Sequence, residues 1–122
     1  VVDFHAEATA EKLAMAWHLD GKVSTFIGTH THIPTNDARI FPDGTGYISD
    51  AGMTGSFDSV LGMDTTTSQK RFKLGTPHKY KLADGNNKIC GVFFMINRSN
   101  GLCDHIEPII YPSFENSKLD HE

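Results

Sequence analysis

The feature of this sequence that most restricts its possible folds is a short, mostly apolar run at residues 23–27. It leads directly into Gly-Thr-His-Thr-His at residues 28–32. A short run of this kind, bounded by glycine, predicts a buried β-strand. Because side chains alternate along an extended chain, His30 and His32 are expected on the same side of the backbone. Two imidazoles that converge at a strand end are typical of metal ligands. The alternative is a polar loop whose histidines bind nothing.

A second candidate strand, residues 1–5, ends in His5 and is followed at once by a predicted helix. Thr9 is predicted to be the N-cap of this helix, and Gly21 lies just past its end, where a left-handed residue is common. Strand, helix and strand form a βαβ unit with two parallel strands. Sites in parallel sheets gather at the carboxyl ends of strands, so His5 is predicted near His30 as a third metal ligand. A role as a cap of the following helix is the alternative.

Apolar spacing and turn residues predict the remaining elements. The helix residues that recur at helical spacing, and are therefore expected to face the core, are Ala10, Leu13, Ala14 and Trp17. Asp64 is expected to cap a short helix that reaches residue 72, and the polar tail from Pro112 onward is expected to be loose. The other predicted elements are a hairpin at 38–41 and 46–48, an irregular loop at 51–63, and strands at 80–82, 88–96 and 105–111.

These elements predict an α/β fold in which the βαβ unit is followed by mostly antiparallel strands, arranged as one extended sheet or as a two-sheet sandwich. The chain has 122 residues, which suits one domain. Its net charge of −4 argues against long nucleic acid as a partner, but not against a small phosphate ester. No apolar stretch is long enough to span a membrane. Cys90 and Cys103 lack metal-binding or disulfide spacing, which favours two reduced thiols in the cytosol.

The loop between the hairpin and the second helix supplies candidate substrate contacts. Its glycines could present backbone N–H groups to an anion, and its aromatic residue could stack on a base, although tight turns and packing are the simpler explanations. The candidate substrate-contacting residues, including one from the histidine segment, are Thr31, Gly52, Met53, Thr54, Gly55 and Phe57. Among the carboxylates, Asp50 comes closest to a strand-end position, but a turn or cap role is favoured for it.

Four segments together resemble the bacterial YmdB-like metallophosphoesterases, which belong to the calcineurin-like phosphoesterase superfamily. They are residues 3–9, 28–32, 48–55 and 61–64, which follow one another in the same order as in the family. The resemblance runs from residue 1 to about residue 110. The combined pattern is specific, whereas Gly-Thr-His-Thr-His alone would indicate only the superfamily.

The resemblance implies a cytoplasmic phosphodiesterase with a two-sheet sandwich fold and two divalent metal ions, iron or manganese, with zinc as an alternative. It also implies activity on cyclic nucleotides of the 2′,3′ type, through in-line attack of a metal-bridging hydroxide on phosphorus. His5, His30 and His32 match the three histidine ligands of the family.

The family also has an N-terminal half, which carries an aspartate ligand, a bridging acidic residue and an Asn-His pair with the general acid. None of these is present here, and the chain starts inside a predicted core strand. Residues 1–122 are therefore predicted to be the C-terminal portion of a single domain, with no catalytic residue assigned and no activity expected from the portion alone. The sheet edges of such a portion would favour self-association, so a homo-oligomer is also expected.

Two other functions are compatible with the histidine motif. An amidohydrolase-like metallohydrolase also uses His-x-His at a strand end, but it needs a full barrel of βα units, and this chain predicts one βαβ unit and then a meander. A non-catalytic metal-binding or regulatory domain would keep the histidines without turnover. Bound metal without phosphodiesterase activity would favour the regulatory domain.

Overall fold

A computed structural model describes residues 1–114. Their seven strands form two sheets, and two helices complete the fold. The elements are β1 (Val2–His5), α1 (Thr9–Leu19), β2 (Thr25–Thr29), β3 (Arg39–Ile40), β4 (Gly46–Ile48), β5 (Gly55–Ser56), α2 (Thr65–Leu74), β6 (Asn87–Ile96) and β7 (Cys103–Tyr111). One sheet is mixed, in the order β1-β2-β4-β3, and the other is antiparallel, in the order β5-β6-β7. The predicted α/β class with two sheets is confirmed. No helix in the described part is long and apolar enough to cross a bilayer.

The predicted βαβ unit and hairpin are both present in the mixed sheet. β1 and β2 pair in parallel, with Val2 opposite Phe26 and His5 opposite Thr29. β2 also pairs in parallel with β4, and β3 and β4 form the antiparallel hairpin. The carboxyl ends of β1 and β2 therefore lie side by side at one edge of the sheet, which is where the histidines follow.

The mixed sheet has a core on each face, because alternate residues of a strand point to opposite sides. On one side Phe26 and Tyr47 pack with Ala16 of α1 and with Phe41. On the other side lies a second core that joins the two sheets, formed by Ile48, Cys103 and Ile106 with partly buried neighbours. Burying a large apolar side chain contributes about 1.5–3 kcal/mol. The two cores hold α1 and the antiparallel sheet against the strands that carry the histidines.

The start and the buried face of α1 differ from the prediction. Ala8, not Thr9, occupies the N-cap position of α1, and no described side chain makes a capping hydrogen bond there. The fully buried residues of α1 are Lys12 and Ala16. Trp17, expected inside, is 47% exposed and stacks on Phe41 with the ring centroids 4.1 Å apart. The predicted face was wrong because apolar spacing cannot recognise a lysine whose charge is paired inside the protein.

Ala10 and Ala14 of the same predicted face are exposed, whereas Leu13 packs at the margin of the core. A small alanine contributes little apolar area at either place, so it marks the buried side of a helix only weakly.

Smaller corrections concern the second half of the chain. Part of the predicted irregular loop is the short strand β5, which pairs with β6 through Gly55 opposite Lys88. The predicted strand at 80–82 is reduced to an isolated bridge between Met63 and Leu82. The cap of α2 is confirmed, since the Asp64 carboxylate accepts from the Thr67 N–H at 3.0 Å. Most of the predicted loose tail, residues 115–122, lies outside the described residues.

Candidate functional site

His5 and His30 lie next to each other at the carboxyl edge of β1 and β2. His5 Nε2 is 3.2 Å from His30 Nδ1, and the two rings meet edge to face with centroids 5.1 Å apart. Both side chains are exposed. The parallel pairing explains this proximity, because His5 is opposite Thr29 and His30 is the next residue along the chain.

The ring of His5 is oriented by its other nitrogen. Its Nδ1 lies 3.1 Å from the Thr29 hydroxyl, so its Nε2 is directed toward His30. Histidines that ligate metals commonly use the second ring nitrogen in this way, because that contact sets the tautomer and the ring orientation. His5 thus has the supporting contact that a ligand of this type needs.

His32 does not share the position that strand alternation predicts for it. The strand β2 ends at Thr29, and His30 and His32 both have positive φ angles, 145° and 66°. The backbone therefore curls after β2 instead of continuing straight. His32 lies over the loop before α2, where its Nδ1 donates to the Leu61 carbonyl at 3.0 Å. In a neutral ring, this bond places the proton on Nδ1 of His32, so its Nε2 keeps the lone pair that a metal ligand needs.

The donor set fits a metal site only in part. Neutral imidazole nitrogens suit zinc, iron and manganese. Within residues 1–114, however, no three His, Cys, Asp or Glu side chains come close enough together to hold an ion. Two ions also need bridging oxygen ligands. His5 and His30 therefore bring two imidazoles together, and an ion held there would need further ligands beyond these two.

Asp50 lies directly beneath the histidine segment and is fully engaged with the protein. Its Oδ2 accepts from the Thr31 N–H at 2.7 Å and from the Lys12 ammonium at 3.3 Å. Its Oδ1 accepts from the Gly52 N–H at 2.9 Å. The side chains of Lys12 and Asp50 are each 1% exposed. Asp50 is therefore a support for the segment, and its oxygens face protein donors.

The pKa of Asp50 reflects two opposing effects. Burial raises the pKa of this carboxyl, but the hydrogen bonds from Thr31, Gly52 and Lys12 more than offset burial, so its pKa lies below the ordinary value. The sequence around Asp50 predicts a turn or cap role for it and gives no direct sign of its partner Lys12. The available signal was their placement, because Lys12 is one helical turn from Ala16 and Asp50 follows the buried strand β4.

The candidate substrate residues of the 51–57 loop have partners within the protein. The Gly52 N–H is used by Asp50, and the Thr54 hydroxyl bonds the Cys90 backbone on β6. Gly55 is part of β5, and Phe57 packs edge to face on Phe114 at 5.5 Å. Their suggested role at a substrate stays a prediction.

The two remaining candidates have similar local roles. The Thr31 hydroxyl donates to the Ile33 carbonyl and accepts from the Ile33 N–H. Met53 lies against Gly62, and its sulfur would be 3.1 Å from a Cβ atom added to that glycine.

A pocket of about 370 Å³ opens beside His32, between the loop before α2 and α2 itself. Its lining includes Leu61 and Met63 together with Arg71, Phe72 and Tyr80. The Arg71 guanidinium lies 4.1 Å from the centre of the Tyr80 ring. The pocket thus combines apolar surface with one cation next to a candidate metal ligand.

The YmdB-like protein family matches residues 1–109. This chain belongs to that family. A 2′,3′-cyclic-nucleotide 2′-phosphodiesterase of Bacillus subtilis (strain 168) is 49% identical over 109 residues, which are 89% of this chain and 41% of that protein.

Two solved structures resemble this YmdB-like chain. A hypothetical protein from Thermus thermophilus superposes with a TM-score of 0.84 at 40% identity, over 90% of this chain and 43% of that one. A novel phosphatase of Mycoplasma pneumoniae superposes with a TM-score of 0.85 at 40% identity, over 90% and 40%. The chain therefore spans about two fifths of the length of the relatives it matches.

Proposed function

We propose that this chain provides the histidine part of a metal-dependent phosphodiesterase that hydrolyses cyclic nucleotides of the 2′,3′ type. The observation that carries the proposal is the contact between His5 and His30 at the carboxyl edge of two parallel strands. The 49% identical relative that is named a 2′,3′-cyclic-nucleotide 2′-phosphodiesterase supports the choice of substrate. We assign residues 1–122 to the C-terminal portion of one catalytic domain: the match over 41% of that relative supports a portion, and the resemblance to the family implies the C-terminal side.

In this proposal His5, His30 and His32 hold two divalent ions, iron or manganese, or zinc. Such ions, when bound, make hydroxide available near neutral pH and offset the charge on phosphoryl oxygens. The Thr29 hydroxyl and the Leu61 carbonyl contact Nδ1 of His5 and of His32, so Nε2 would be the atom of each ring that holds an ion. No general acid is assigned within this chain.

The pocket beside His32 is the proposed place for the nucleotide. Its volume lies within the range of small-molecule sites, and its aromatic and apolar lining suits a base. Arg71 supplies a positive charge for an anionic substrate. The net charge of −4 makes long nucleic acid an unsuitable substrate by comparison.

The proposed setting is the cytoplasm, because Cys90 and Cys103 are both free thiols and a reducing compartment keeps them so. Self-association is proposed as well, through the exposed apolar face of β6 and β7, which includes Ile89, Phe93 and Ile109.

The test is hydrolysis of 2′,3′-cyclic AMP with added Mn²⁺ by the product of the full open reading frame, with metal content measured on the same sample. We expect turnover with about two metal ions per chain in the wild type, and His30→Ala should lose metal and activity together. His18→Ala, on the exposed side of α1, is the matched control and should keep both.

The outcomes separate the remaining alternatives. Full metal occupancy and activity in His30→Ala would refute the ligand assignment. Two bound ions without turnover on this or other phosphodiesters would favour a regulatory metal-binding domain. A wild-type protein that binds no metal would refute the proposal as a whole.

A further inference from the structure

We infer that the buried Lys12–Asp50 pair is a positioning device for the candidate metal site, which holds the backbone between His30 and His32 in a strained conformation. This inference rests on the proposed function, because it assigns the two histidines to a metal. Neither Lys12 nor Asp50 touches the ions in this role; both act through the backbone of the histidine segment.

Asp50 bonds the chain on both sides of His32, at Thr31 and at Thr35. Its Oδ2 accepts the Thr31 N–H, which lies between the two histidines, at 2.7 Å. Further on, the Thr35 N–H donates to the Asp50 carbonyl at 3.1 Å, and the Thr35 hydroxyl accepts from the Asp50 N–H at 2.9 Å. One residue, two positions beyond β4, therefore bonds the first and last parts of residues 31–35.

The bonds to Asp50 fall where the backbone needs them most. His30 and His32 have φ angles of 145° and 66°, and neither is glycine. Such angles are unfavourable for residues other than glycine and persist only where the surroundings hold them in place. The Thr31 amide is the group between these two residues, and its bond to a charged, buried acceptor is of the stronger kind.

Lys12 fixes the acceptor in turn. Its ammonium lies 3.3 Å from the same Oδ2, and its stem packs on β2, where a side chain on Gly28 would approach Lys12 Cδ to 2.9 Å. Gly28 thus allows the lysine to pass directly beneath the histidine segment. The Lys12 ammonium and the Thr31 N–H therefore donate to the same oxygen, Oδ2 of Asp50.

Stability alone is a weak reason for such a pair. A buried ion pair can often be replaced by apolar residues of similar volume with no loss of stability, because desolvation offsets the attraction. What apolar residues cannot provide is an acceptor for the Thr31 and Gly52 N–H groups. We therefore expect metal binding to need an acceptor oxygen at position 50, even if folding does not need the charges of Lys12 and Asp50.

The experiment compares two double variants of the full-length product. Lys12→Met with Asp50→Leu removes the charges and the acceptor, whereas Lys12→Met with Asp50→Asn removes the charges and keeps an acceptor oxygen. Mn²⁺ affinity is measured by titration calorimetry on samples with native circular dichroism. Lys22→Met, an exposed site in the turn between α1 and β2, is the control for loss of a lysine and should bind Mn²⁺ like the wild type.

We expect the leucine variant to bind Mn²⁺ about 10–100-fold more weakly than the wild type, and the asparagine variant to recover most of that loss. Equal affinity in the wild type and a folded leucine variant would overturn the inference and leave the proposed function intact. A wild type that binds no Mn²⁺ would instead overturn the proposed function and the inference with it.

A second measurement covers the case in which the leucine variant does not fold. Amide hydrogen exchange of Thr31 is followed in the metal-free wild type. Strong protection in the wild type, most of it kept in Lys12→Met/Asp50→Asn, is expected because an acceptor oxygen holds this amide before metal binds. Exchange of the Thr31 amide at the rate of an unstructured peptide would overturn the inference.

Discussion

The two sheets of this protein differ in how completely their faces are covered. In the mixed sheet, Phe26 packs under α1 while its neighbour Ile27 packs toward the second core. In the antiparallel sheet, Ile106 is buried, but Phe93 on the adjacent strand is 45% exposed. The buried Lys12–Asp50 ion pair and the strained histidines lie against the mixed sheet. The buried charge of the antiparallel sheet, Lys88, has no carboxylate partner among the described residues and donates to the carbonyls of Pro112 and Ser113. Cover on both faces lets the mixed sheet enclose an ion pair whose two side chains are each 1% exposed.

The largest expected effect comes from breaking the buried pair on one side only. Asp50→Ala leaves the Lys12 ammonium buried without its carboxylate, so we expect the free energy of unfolding to fall by about 3–5 kcal/mol. Urea denaturation of the full-length product measures this. Lys12→Met/Asp50→Asn should be more stable than Asp50→Ala, because no uncompensated charge remains. A loss below about 1 kcal/mol in Asp50→Ala would contradict the burial of the pair.

Truncation of one isoleucine in each sheet tests directly how completely the faces of the two sheets are covered. Ile48→Ala opens a cavity in the second core, where Ile48 is fully buried, and we expect a loss of about 2–5 kcal/mol. Ile89→Ala, at a residue 59% exposed on β6, should change the free energy of unfolding by at most about 0.5 kcal/mol. Equal losses in the two variants would mean that the outer face of β6 is covered in the intact protein, for example by self-association.

The smallest effect concerns the pH dependence of the mixed sheet. Burial raises the pKa of Asp37, but hydrogen bonds from Ser49 and Thr35 outweigh burial, so the pKa of Asp37 lies below its ordinary value. A group of this kind stabilises the fold above its unfolded pKa of about 3.9, and that contribution is lost as the pH falls through the lower folded pKa.

Asp37→Asn should therefore cost about 1 kcal/mol at pH 7, because the charge-assisted bonds to Ser49 weaken, and less at pH 3, where the wild type has lost part of the same contribution. Urea denaturation at both values is the measurement. Asp43→Asn, in the exposed turn of the hairpin, is the control and should show no such difference. A cost that grows as the pH falls would contradict the sign of the pKa shift.

Much of the fold follows from local signals in the sequence. Short apolar runs that end in glycine or histidine predict β1 and β2, and the parallel pairing of these strands places His5 beside His30. The turn at residues 42–45 is closed by backbone bonds between Phe41 and residues 44 and 45, and Asp64 caps α2 through Thr67, three residues further on. Elements of this kind can be predicted because the interactions that form them are close in sequence.

The missed features depend on contacts between distant residues. The buried face of α1 is set by Lys12 meeting Asp50, which is 38 residues away, and no helical spacing encodes that partner. The curled backbone at His30 and His32 likewise depends on the Thr31 N–H reaching a carboxylate 19 residues further on. Strand alternation predicted an extended segment there, because it considers only the local preference of each residue.

Trp17, the single tryptophan of the chain, makes α1 optically observable without a label. Its indole lies 4.1 Å from the ring of Phe41 and under the Arg39 guanidinium, which is 5.5 Å from the indole centre. Undocking of the helix from the mixed sheet would end that stacking and shift the emission, whereas fraying of β6 and β7 would leave it unchanged. The protein thus carries its own tryptophan probe for one half of its architecture, whereas β6 and β7 contain no tryptophan.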